Sequence, residues 1–163
     1  MKVHDAIKKV LDASMMVVTA YLSDLTDAEL LSRPVPSANH PAWQLGHLIV
    51  AEFQMMEGIV PGKSPKLPSG FIEAHAKETA SSNDPKLFLS KKSYLDLYQA
   101  QRTATLQILS GLSETDLDKP GPEAFRSWAP TYGALLIGTG THLMMHVGQF
   151  AVLRRVLGKP VVI

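Results

Sequence analysis

His142 and His146 stand four residues apart in Thr141-His142-Leu143-Met144-Met145-His146. At about 100° per residue in a helix, their side chains lie about 40° apart, one turn above the other, where two imidazoles can grip one metal ion. Leu135, Gly138, Gln149 and Leu153 fall within about 40° of His142 on the same wheel, so the pair belongs to a core-directed face. In an earlier helical stretch His47 has Trp43, Ala51 and Gln54 in the same angular range and also reads as mainly buried. Convergence of the three would give a site of neutral imidazoles, which suit zinc, nickel, iron or copper and leave a further position for water or substrate. The competing reading is that each is a core histidine hydrogen-bonded to backbone. Spacing alone does not separate the two.

The surrounding residues narrow the chemistry. No Glu follows His142, so the zincin pattern of a metalloprotease is missing. Glu52 and Glu57 lie about 140° and 80° from His47 on the wheel, which makes neither an obvious base or fourth ligand and casts Glu52 as a surface charge. Tyr94, Tyr98 and Gln149 are the polar side chains to examine for a base or oxyanion donor. Met15-Met16, Met55-Met56 and Met144-Met145 read as soft core filler rather than thioether ligands. His4, His40 and His75 sit at a terminus, a helix entry and a loop, where solvated histidine is expected; His40 shares the His47 stripe and is held in reserve. With no cysteine in the chain, disulfides, thiolate nucleophiles and Cys-based zinc sites are excluded.

Four long helices must position these groups. Apolar residues at three- and four-residue steps predict a first helix from Val3 to Leu25, followed by a capped turn at Thr26-Asp27-Ala28-Glu29. Asn39-His40-Pro41 opens a second from Ala42 to Glu57. Between Val60 and Asp84 the prolines and glycines exclude a bundle helix beyond a turn near Phe71 to Lys77, leaving a long loop that could act as a lid. A third helix runs from Ser90 to Leu109 and a fourth from Tyr132 to Leu157, with Thr131 as N-cap. Between them lie a turn at Ser113 to Asp116 and an irregular stretch punctuated by Pro120, Gly121, Pro122 and Pro130. With no alternating strand pattern, the fold class is all-α, a four-helix bundle.

The 163 residues suit one domain, residues 1–163, and 45% hydrophobic against 19% charged residues is a globular composition. Sixteen Lys and Arg nearly balance fifteen Asp and Glu without a long basic run, so nucleic acid is not an expected partner. No apolar run approaches the ~20 residues of a membrane span, and charges at positions 5, 8 and 9 interrupt any signal-peptide core, so no membrane is expected and the cytoplasm is the expected location. A glycine line at Gly133, Gly140 and Gly148, away from the His142 face, permits close helix approach, either within the bundle or between two copies.

Trp43-Gln44-Leu45-Gly46-His47-Leu48, taken with His142-Leu143-Met144-Met145-His146-Val147-Gly148-Gln149, resembles the DinB/YfiT-like superfamily of metalloenzymes. The resemblance implies an up-down-down-up four-helix bundle, often dimeric, holding a divalent metal on His47, His142 and His146. Zinc or nickel is the first expectation, with iron or manganese as alternatives. It also implies a small-molecule substrate and points to transferases and isomerases that use low-molecular-weight thiols. Metal-assisted hydrolysis is the rival enzymatic expectation, and a metal-stabilised bundle that binds a small molecule or dimerises without chemistry is the non-catalytic one.

Overall fold

Each long helix after the first starts where a side chain accepts an otherwise unpaired backbone N–H. His40 Nδ1 accepts from the Trp43 amide, Ser90 from Ser93 and Thr131 from Ala134. In the computed structural model, which describes residues 1–162, the helices are α1 (Val3–Leu22), α2 (Pro41–Ile59), the single turn α3 (Phe71–Ala74), α4 (Lys91–Gly111), the single turn α5 (Glu114–Leu117) and α6 (Tyr132–Val156). The boundaries fall within a few residues of the sequence expectation. α1 stops three residues early because Thr26 and Glu29 close a capping exchange of their own. α6 ends before Gly158, whose φ of 69° suits a glycine. No strand occurs among the described residues, only an isolated bridge between Pro120 and Thr131. None of the described helices is long and apolar enough to cross a membrane.

Cross-helix pairs fix the directions. Gly140 packs on Val10 and Arg154 reaches Tyr21 and Asp24, so α6 runs parallel to α1. His4 meets the Leu112 carbonyl and Lys91 binds the carbonyls of Leu22, Ser23 and Leu25, so α4 is antiparallel to α1. Glu52 meets Arg102 and Thr105, and Gly46 lies under His75, which is bonded to Tyr94; α2 and α4 are therefore parallel. This is the up-down-down-up order. It also explains the long segment between α2 and α4, which must return the chain along a helix of about 28 Å before the parallel neighbour can start. That segment is no free lid. Trp43 Nε1 donates to the Ala76 carbonyl, and the Arg33 guanidinium donates to the carbonyls of Ala38, Ala80 and Ser82.

Glu52 is the main departure from the sequence reading. It is 1% exposed, not a surface charge, and both its oxygens accept from Arg102, itself 1% exposed, at 2.9 Å. Thr105 Oγ1 adds a third bond at 2.6 Å, while Arg102 Nη1 donates to Ser14 Oγ and to the Leu11 carbonyl. One buried ion pair thus joins α1, α2 and α4. Arg102→Met should lower stability by about 3–5 kcal/mol, because it strands a carboxylate in the interior. Adding Glu52→Gln to Arg102→Met should recover most of the loss in urea unfolding. Additive losses would contradict this account.

Candidate metal centre

α2 and α6 run antiparallel and bring Gln44 against His146 and Met55 against Thr139. On that shared face His47, His142 and His146 converge, with ring centroids 4.9–5.4 Å apart. One nitrogen from each ring lies within 4.8 Å of the others, and no carboxylate joins the group among the described residues. Tetrahedral ligand nitrogens sit about 3.4 Å apart, so modest ring rotations close the set.

Hydrogen bonding assigns a tautomer. Gln44 Nε2 donates to the Asn39 carbonyl, which leaves Gln44 Oε1 to accept from His146 Nδ1 at 2.8 Å. The proton therefore sits on Nδ1, and Nε2 of His146 keeps its lone pair for a ligand role. His47 lies flat against Trp43, centroids 5.1 Å apart and planes 5° from parallel, and the Trp43 indole is itself anchored on Ala76 and Thr79. Behind His47, the His75 ring occupies the space where Gly46 lacks a side chain: a Cβ there would stand 1.9 Å from His75 Cδ2. His75 Nδ1 donates to the Phe71 carbonyl, so its Nε2 accepts from the Tyr94 hydroxyl, which in turn accepts from the Leu89 amide. The loop thereby positions the helix that carries His47.

Burial keeps the imidazoles neutral. Desolvation first, and neighbouring imidazoles second, push His142 and His146 down to about 4. His47, His40 and His75 are lowered as well, again chiefly by desolvation. His146 is 9% exposed, while His47 and His142 are partly exposed and form the wall of a cleft of about 590 Å³. A smaller cavity of about 370 Å³ adjoins it, and His47 and Gln54 line both.

The three imidazoles chosen from the sequence come together; several companions do not. Tyr94 is spent on His75, Tyr98 is buried over Arg102, and Gln149 faces outward. His40 and His75 are buried structural groups, not solvated ones, and His4 caps a carbonyl. Met55 and Met56 are core, but Met16, Met144 and Met145 are exposed. Sequence reasoning missed Gln44, although it is a polar residue one turn before His47 in an otherwise apolar stretch. It also missed Trp128, which sits in an aperiodic segment with no signal to find it.

The chain matches the family described as the DinB superfamily over residues 11–150. A crystal structure of a conserved protein from Enterococcus faecalis is similar over 98% of this chain and 99% of that one, with a TM-score of 0.73 and 20% sequence identity, a likeness of fold. A search of curated proteins finds no match.

Because the folded state resists protonating these imidazoles while the unfolded chain takes up protons near pH 6.5, the metal-free protein should hold full histidine-linked stability above pH 6.5 and lose it as pH falls toward about 4. Urea midpoints measured across that window test this, and His142→Gln/His146→Gln should flatten the slope. An equal slope in parent and variant would refute the assignment.

Proposed function

Because the chain belongs to the DinB superfamily, we propose that His47, His142 and His146 hold one divalent metal ion and that the protein is a metal-dependent enzyme transferring a low-molecular-weight thiol to or from a small molecule. One observation carries the reading: three uncharged imidazole donors within 4.8 Å, with no acid in their group, in the wall of an open cleft. A closed structural site would offer four protein ligands, whereas three ligands beside a cleft suit catalysis. Zinc and nickel fit an all-nitrogen donor set best, with iron or manganese next. When bound, such an ion supplies Lewis acidity, which acidifies a thiol or water that meets it.

The chain's own residues favour the thiol. Gln44 holds the His146 proton on Nδ1 and keeps Nε2 free. Trp43 holds the His47 ring in plane. No carboxylate or phenol lines the cleft, and the other candidate bases are buried away from it: burial pushes the Tyr94 phenol up to about 12 and that of Tyr98 higher still, and Glu52 is locked on Arg102. A free thiol ionises near pH 8.5 and water near 15.7, so a thiol needs far less help and can ionise without a protein base. Hydrolysis would draw on a metal-activated water, which ionises near neutral pH, and would further need a donor placed to hold the developing oxyanion. Gln54, with its amide at the junction of the two cavities, is available to orient the second substrate.

We also propose that the protein works as a homodimer in the cytoplasm. Beyond the cleft wall, α6 exposes Ile137, Met144, Val152 and Val156, and an apolar helix of this kind is ordinarily covered on every side.

Cobalt-loaded protein should develop a sulfur-to-metal charge-transfer band when 2-mercaptoethanol is added, and the His142→Ala/His146→Ala variant should show none. A spectrum unmoved by thiol would sink the thiol-transfer reading. Sedimentation equilibrium should give a dimer that Val152→Glu/Val156→Glu converts to monomer; a parent that sediments as a monomer would remove the dimer.

A further inference from the structure

The cleft beside His47 and His142 is chemically lopsided. Its far wall is Ala51, Met55, Phe125, Trp128 and Met145, and no charged side chain lines it. Besides the histidines, Gln54 and Thr141 are its polar groups, and Thr141 already donates to the Gly138 carbonyl. The single charge in the adjoining cavity, Lys77, lies on the other side of His47. Trp128 is 51% exposed although it is among the largest apolar side chains in the protein, and Met145 is 63% exposed. Both lie open toward a space of about 590 Å³, in the range that takes a small molecule.

The indole is held in place. Phe125 meets it edge-on at 6.2 Å and 76°, and its six-membered ring sits on Gly138, where an added Cβ would fall 2.5 Å from Cζ3. Gly138, one turn before His142, therefore lets the indole lie on α6 beside the histidines. An ionised group placed against this wall would lose hydration with nothing to replace it, whereas a flat apolar group gains burial and an aromatic face.

We propose that the Phe125–Trp128 segment and Met145 form the pocket for an uncharged, apolar, ring-bearing part of the substrate, seated against the Trp128 indole with its reactive end toward His142. This rests on the metal-dependent reading for the word substrate; the pocket itself does not require the metal. It gives the irregular stretch before α6 a role in specificity.

The test uses N-phenyl-1-naphthylamine, an uncharged aromatic probe, beside its anionic relative 1-anilinonaphthalene-8-sulfonate, on metal-free and zinc-loaded protein. The neutral probe should bind once per chain, quench tryptophan emission, and bind about tenfold or more tighter than the sulfonate. Trp128→Ala and Gly138→Ala, each checked by circular dichroism, should weaken it by about tenfold, while Trp128→Phe should stay close to the parent. Absence of binding, equal binding by the sulfonate, or an unchanged affinity in Trp128→Ala would overturn the pocket. Zinc uptake measured on the same samples separates the two readings. Probe binding without zinc uptake leaves the pocket and removes the metal; zinc uptake with a Trp128-independent probe does the reverse.

Discussion

The bond from His146 to Gln44 is the contact on which the site depends. It joins α2 to α6 at the level where the imidazoles meet, and it decides which nitrogen of His146 is free. Gln44 can play this part because its own amide is committed to the Asn39 carbonyl just before α2, so the side chain cannot flip without setting its Oε1 against that carbonyl, acceptor to acceptor. Three imidazoles facing each other are tolerable only while they are uncharged. Their depressed proton affinity and the open cleft beside them are therefore two sides of one arrangement.

Around that contact the fold acts as a frame. The Glu52–Arg102 pair lies little more than a turn beyond His47 on α2 and ties α2 to α4 and α1, so the helix bearing His47 is held on the side away from α6 as well. The α2–α4 crossover supplies the remaining restraint through Trp43 and through His75, whose ring takes the place of a side chain at Gly46. The glycine one position before His47 thus has a packing explanation that needs no appeal to backbone flexibility. Gly140 likewise serves contact within the bundle, on Val10, while Gly148 faces open space.

Much of this was legible in the sequence because helical periodicity and capping are local. Thr131, Ser90 and Ser113 act as the caps their types suggest, and the His142–His146 spacing survives as a shared face. What was not legible is non-local. Glu52 reads as solvated on its own helix because its partner is fifty residues away, and His75 reads as a loop histidine because nothing local announces Tyr94 or Gly46. Trp128 lacks even a periodic neighbourhood. The long proline-rich segment suggested a lid because parallel packing of α2 and α4, which requires a long return, is a property of topology rather than of the segment.

The most direct test of the central claim is metal analysis by plasma mass spectrometry of untagged protein, alongside the His142→Ala/His146→Ala variant checked by circular dichroism for intact helix. The account predicts close to one divalent ion per chain in the parent and none in the folded variant. A parent that takes up no zinc, nickel, iron or manganese, or a folded variant that retains the ion, would contradict it.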